Sequence, residues 1–216
     1  MKHFWLKKQH NQKLILLFAG WGMDENPIKH IAVDGYDILI VYDYCDLAFD
    51  IILSEYAEIT VTAWSMGVLA ASIICRNLEI KKAIAINGTQ KPIDAKFGIH
   101  PKIYQLTLDN LDEANRDIFF KNMFKDEKEY EKFQKPERNL ENQREELANL
   151  QKLASENTTL NFDFDVAIIS TQDQIMPTKN QQRFWQTKKV KVVELSSGHY
   201  PFFELNSFEE ILDETL

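Results

Sequence analysis

Cysteine is scarce in this chain of 216 residues: Cys45 and Cys75 are the two it has. They lack metal-ligand spacing, and the pair reads as reduced thiols of a cytoplasmic protein rather than as a disulfide framework. Cys75 lies in a helix-like run and reads as core packing. Cys45, in Tyr42-Asp43-Tyr44-Cys45-Asp46, reads as a loop thiol, with a place at a pocket rim as the alternative. His3, His10, His30 and His100 are scattered without a helical ligand pair, so neither a metal nor an organic cofactor is expected. Positive charge is also in short supply. Twenty-five Lys and Arg face 33 Asp and Glu, a formal charge of -8, and the bases are interspersed with acids, which argues against a nucleic-acid partner. No run approaches the ~20 apolar residues of a membrane span, and residues 1–9 lack the apolar stretch of a signal peptide. Repeats, low-complexity tracts and Gly/Ser linkers are missing too, so residues 1–216 read as one domain with room for an inserted lobe.

What is present is a small-x-Ser-x-Gly turn, Ala63-Trp64-Ser65-Met66-Gly67, between a strand-like run from Glu58 and a helix-like run from Val68 to Arg76. Strand, sharp turn, serine and helix make a nucleophile elbow, whose small flanking residues relieve backbone crowding while the strained turn lifts the hydroxyl off the sheet. Two later strands end in candidate partners: 168–173 ends at Asp173, and 196–199 ends at His199. The chain order Ser, Asp, His is that of the α/β-hydrolases and of no other common serine-hydrolase fold. Asp43 and Asp46 also follow a strand end, but Asp173 occupies the late position this fold reserves for the acid; Asp43 is expected to satisfy turn backbone.

An early apolar strand, 14–18, runs into Ala19-Gly20-Trp21-Gly22, where glycines allow the backbone close to a ligand. The oxyanion hole of this fold takes one N–H from the residue after the nucleophile, Met66, and one from this loop, for which Trp21 is the candidate.

The coarse pattern is α/β. Apolar strands at 3–7, 13–18, 35–42, 58–63, 82–87, 166–170 and 190–195 alternate with helices at 23–31, 49–56, 68–76 and 180–186, and a final helix is expected over 202–216. The sheet is expected to be mostly parallel, with helices on both faces. Between residues 89 and 161 strands give way to charged helical periodicity over 112–124, 127–133 and 140–154, which reads as an inserted helical lid. Its stripe Ile118, Phe119, Met123 and Phe124 either packs the lid onto the body or lines an acyl tunnel above Ser65. Lys121, Lys125, Lys128 and Lys132 have the spacing of one basic helix face, or of a solvated surface among intervening acids.

Together Phe18-Ala19-Gly20-Trp21-Gly22, Val41-Tyr42-Asp43-Tyr44, Ala63-Trp64-Ser65-Met66-Gly67, Asp173-Gln174-Ile175-Met176-Pro177 and Ser197-Gly198-His199-Tyr200-Pro201-Phe202 resemble the BioG type of pimeloyl-acyl-carrier-protein methyl ester esterase. The matching blocks span the body; the lid corresponds in length and character. Alanine replaces the first elbow glycine of the general hydrolase pattern, at a position that accepts another small residue. The resemblance implies a cytoplasmic carboxylesterase of biotin synthesis, acting on a pimeloyl methyl ester carried by acyl carrier protein. It implies Ser65 as nucleophile, His199 as base, Asp173 as its orienter, and Trp21 and Met66 as oxyanion donors. Other activities of the same scaffold, a short-chain esterase, thioesterase or acyltransferase, differ by pocket rather than by these residues, and a catalytically silent receptor is the alternative outside enzymology.

Overall fold

Four of the strands are near-continuous runs of Val, Ile, Leu, Ala and Phe, the composition of strands covered on both faces, and a fifth, Glu58–Trp64, carries buried Thr60 and Thr62 between Ile59, Val61 and Ala63. The computed structural model describes residues 1–32, 34–205 and 207–213. Among these, β1 (Lys2–Lys7), β2 (Lys13–Phe18), β3 (Asp37–Tyr42), β4 (Glu58–Trp64), β5 (Lys82–Ile86), β6 (Val166–Ser170) and β7 (Lys191–Leu195) form one sheet in the order β1-β3-β2-β4-β5-β6-β7. Only the β1–β3 pairing is antiparallel. This is the mostly parallel sheet of the α/β-hydrolase fold.

Alternation along β2 splits the interior into two cores. Leu14, Leu16 and Phe18 join one face with residues of α1 (Gly67–Ile74) and α6 (Thr178–Lys188); Ile15, Leu17 and Ala19 join the other with α7 (Phe208–Asp213). The side chains from Leu14 to Phe18 are wholly buried, at about 1.5–3 kcal/mol for each large apolar group. The chain leaves β2 for β3 on one side and returns through β4 on the other. The carboxyl ends of β2 and β4, aligned with Phe18 opposite Ala63, thus flank a switch in strand order, the place where such sheets bind ligands.

Between β5 and β6 lie four helices: α2 (Pro101–Asp109), α3 (Glu113–Lys121), α4 (Glu127–Lys132) and α5 (Leu140–Glu156). Asp112, Asp126 and Asn139 cap the last three, each side chain accepting a backbone N–H of the first turn. These helices straddle the sheet edge: Tyr104, Leu147 and Leu150 join one core, and Phe120, Met123, Phe124 and Phe133 the other. No helix among the described residues is long and apolar enough to cross a membrane.

Three expectations are corrected and one helix is added. Residues 23–31 form successive turns rather than a helix, because the Asp24 carboxylate holds the N–H groups of Asn26 (3.0 Å) and Glu137 (2.6 Å) instead of capping a first turn. Residues 49–56 are irregular: Phe49, Ile51 and Leu53 turn toward the core while Asp50, Ile52 and Ser54 are exposed, the period-two alternation of extended chain rather than the 3.6-residue period of a helix. Helix α2 was not anticipated; Pro101 begins it and His100 caps it through Nδ1, an unusual cap that the Ser/Thr/Asp/Asn signal overlooks. The last helix starts at Phe208, after a turn in which the N–H groups of Glu204 and Leu205 both donate to the Pro201 carbonyl; residues 214–216 of that expected helix lie outside the described residues.

Candidate active site

β4 ends in a sharp turn at Ser65, whose φ of +56° is a left-handed conformation costing a non-glycine residue about 1–3 kcal/mol. The surroundings hold it there. The Ser65 N–H donates to Ile86 on β5 (2.9 Å), and a Cβ at Gly67 would sit 2.4 Å from the Phe18 carbonyl, so nothing larger than glycine lets α1 start so close to β2. The consequence is a serine hydroxyl projected above the strand ends.

His199 reaches that hydroxyl from the loop after β7. Its Nε2 lies 2.8 Å from Ser65 Oγ, and its Nδ1 lies 2.8 Å from Asp173 Oδ2. The imidazole is pinned through its backbone: the His199 carbonyl accepts from the Trp64 indole (2.9 Å) and from the Asn87 amide (2.9 Å), which also bonds Ser170 on β6. Asp173, in the turn after β6, accepts at Oδ1 from the N–H groups of Ile175 and Met176 (both 2.9 Å) and at Oδ2 from Gln181 on α6 as well as from the imidazole. An ionised carboxylate only accepts, so it selects the tautomer with its proton on Nδ1 and leaves Nε2 free to take the serine proton. Ser65, Asp173 and His199 are all buried. Trp64, Asn87 and Gln181 were not anticipated. Gln181 was findable, since it shares a helix face with Phe184 and Trp185, three and four residues on.

A cavity of about 190 Å³ opens over Ser65, walled by Trp21, Met66, Tyr104, Phe119, Leu147 and His199, with Asn122 and Gln174 at its polar edge. Among the described residues the backbone N–H groups of Trp21 and Met66 have no protein acceptor. The aromatic stripe divides: Phe119 and Met123 line the cavity, Phe124 packs against Tyr200 and Phe133, and Ile118 points outward, 54% exposed.

Asp43 and Asp46 lie away from the imidazole. Asp46 pairs with the terminal amine of Met1. Asp43, expected to satisfy turn backbone, instead pairs with Arg138 (3.1 Å) and Lys2 (2.9 Å), because its own backbone is left-handed (φ +61°) and turns the carboxylate toward the lid. The four lysines do not share one helix face: Lys121 ends α3, Lys128 and Lys132 lie on α4, and Lys125, between them, is paired with Glu129 and Glu204. Burial pushes the Cys75 thiol up to about 12, and burial with the neighbouring Asp43 does the same to Cys45, so both are protonated at neutral pH. Among the described residues no three His, Cys, Asp or Glu side chains are grouped to hold a metal ion.

The family model described as pimeloyl-ACP methyl esterase BioG matches residues 1–211. The crystal structure of BioG from Haemophilus influenzae superposes with a TM-score of 0.92 at 33% identity, covering 97% of this chain and 98% of that one. A malonyl-[acyl-carrier protein] O-methyltransferase of Bacteroides fragilis is 40% identical over 210 residues, which are 95% of this chain but 41% of that protein, so this chain spans less than half of that relative. An esterase of Thermogutta terrifontis, at 11% identity and a TM-score of 0.67 over 98% of this chain and 90% of its own, shares the fold.

Proposed function

We propose, from the premise that this chain belongs to the BioG family of pimeloyl-ACP methyl esterases, that it hydrolyses the methyl ester of a pimeloyl chain on acyl carrier protein, in the cytoplasm, during biotin synthesis. The observation that carries this reading is the unbroken, buried relay from Ser65 through His199 to Asp173, with 2.8 Å at each link. Ser65 attacks the ester carbonyl as His199 removes its proton; Asp173 holds the imidazole in register and stabilises the imidazolium. The amides of Trp21 and Met66 receive the oxyanion. Methanol leaves with the proton from His199, and water repeats the sequence on the acyl-enzyme to release the carboxylate.

The thioester at the carrier end is the more reactive bond, and reach protects it. A cavity of about 190 Å³ is smaller than the roughly 300–1,000 Å³ of sites that enclose a drug-sized ligand, so it takes the end of a slender chain and excludes a folded carrier. In this reading residues 89–161 act as the lid of a single 1–216 domain, and its polar edge at Asn122 and Gln174 faces the carrier. Neither a nucleic acid nor a membrane takes part. The longer Bacteroides relative is named for methylating a carrier-bound malonyl group. Removing a methyl ester is the chemical complement of that step.

The test compares carrier-linked pimeloyl methyl ester, free short-chain esters and acyl thioesters, with wild type and Ser65→Ala. The expected result is highest kcat/KM on the carrier-linked methyl ester and a loss of about 10⁶-fold in the variant. A preference for free acetyl esters or thioesters would replace the substrate assignment, and an active Ser65→Ala enzyme would remove the mechanism.

A further inference from the structure

The loop carrying Trp21 has little of its own to hold it. After β2 its last sheet bond is Ala19 N–H to Val41 (2.9 Å), and the turn from Met23 back to Gly20 is long at 3.4 Å. The helix α5 supplies what the sheet does not. Four bonds reach this loop from α5 or the residues leading into it. The Trp21 indole donates to the Gln143 carbonyl (2.7 Å), the Gln143 amide donates to the Gly22 carbonyl (2.8 Å), Gly22 N–H donates to Glu146 Oε2 (2.9 Å), and Arg138 donates to the Met23 carbonyl (3.1 Å). Glu146 extends the tie to the next loop, its Oε1 accepting the Tyr44 N–H (3.0 Å), and it is neutralised by Arg138 at 2.7 Å. Gln143 and Glu146 are wholly buried and stand one turn above Leu147 and Leu150 on the same face of α5. Gly22 has φ +77°, and a Cβ there would lie 3.2 Å from the Gln143 amide nitrogen, so loop and helix are fitted to each other.

We propose that Glu146, with Gln143 and Arg138, is the positioning residue of the oxyanion hole: the inserted helix α5 aims the Trp21 N–H, so the lid builds the site as well as covering it. This rests on the reading above, in which Ser65 is the nucleophile and Trp21 an oxyanion donor. A carboxylate suits the task because it accepts from two loops at once and donates to neither. Glutamine in its place presents an NH₂ group to one of the two N–H donors, which turns that loop away.

The experiment uses the full chain, p-nitrophenyl butyrate as substrate and a short-chain alkyl trifluoromethyl ketone as the tetrahedral-oxyanion probe, with thermal unfolding as a folding control. For Glu146→Gln, kcat is expected to fall about 30-fold to 100-fold, below the ~10²–10³ for losing an oxyanion donor outright, with KM within about twofold. Affinity for the ketone should fall by the same factor as kcat/KM. Gln143→Met, which keeps volume and removes the bond to Gly22, should show the same pattern more weakly, and it decides the matter if Glu146→Gln does not fold. Unchanged kcat in a folded variant, a loss confined to KM, or a fall in kcat without loss of ketone affinity would each overturn the proposal while leaving Ser65 as nucleophile. Activity retained by Ser65→Ala under the same assay would instead remove the reading on which it rests.

Discussion

Two buried carboxylates order the groups around Ser65, and they are held by similar means for different ends. Asp173 accepts from two backbone N–H groups, a glutamine and the imidazole; Glu146 accepts from two backbone N–H groups and an arginine. Both therefore satisfy the rule that a buried charge must be paired and hydrogen-bonded. They differ in where their partners come from. The backbone donors of Asp173 lie two and three residues along its own turn, whereas those of Glu146 lie 124 and 102 residues away. One carboxylate orders a side chain from inside a local turn, and the other joins two distant loops to an inserted helix.

The sharpest way to break this comparison is at Asp173. Asp173→Asn is expected to keep the turn, since one amide oxygen can still accept from Ile175 and Met176, yet to favour the wrong imidazole tautomer and lower kcat about 10⁴-fold. A steady-state assay on any accepted ester measures it; a loss of less than tenfold would show that Asp173 is structural, as its turn bonds alone would make it. A smaller effect is expected one step out. Gln181→Met removes one donor to Asp173 and should cost about 1.5 kcal/mol, or roughly tenfold in kcat, with KM unchanged. An unaltered kcat would mean that the turn alone orients the carboxylate.

A further effect belongs to the lid side and concerns stability rather than rate. Burial alone would push the Asp43 carboxyl up, but bonds from Cys45 and Lys2 and the nearby Arg138 guanidinium outweigh it and hold the group at about 2. The folded value lies below the unfolded value of about 3.9, so this contribution is fully present above about pH 4 and is lost as pH falls toward about 2. The difference corresponds to roughly 2.6 kcal/mol. Asp43→Asn should therefore unfold at lower temperature than wild type near neutral pH, and the gap should narrow as the pH falls from about 4 to about 2. Thermal unfolding by circular dichroism across that range checks it; parallel curves would place the acid sensitivity elsewhere.

Much of the body was legible because its signals are local. Five apolar runs with turn residues at their ends became the strands of a parallel sheet, and Ala63 to Gly67 announced a left-handed serine because only a small neighbour tolerates that turn. The helices were less legible where packing overrode propensity. Within the expected helix 23–31, Asp24 gives its carboxylate to the N–H groups of Asn26 and of Glu137 in the lid rather than to a helical turn. Residues 49–56 bury Phe49, Ile51 and Leu53 in alternation, a period that extended chain satisfies and a helix does not. In α5 the buried stripe begins with Gln143 and Glu146, polar residues that a hydrophobic pattern counts as solvent-facing.

By itself the amino-acid order determined the α/β pattern, the strained serine turn and the acid and histidine waiting at later strand ends, because each depends on residues within a few positions of one another. Only the folded arrangement decided which groups meet: that His199 bridges Ser65 and Asp173, and that Glu146 meets Gly22 and Tyr44. The physical reason is that a hydrogen bond between residues a hundred apart leaves no periodic trace in either segment, and its cost in desolvation is offset only once both loops and the helix have packed together.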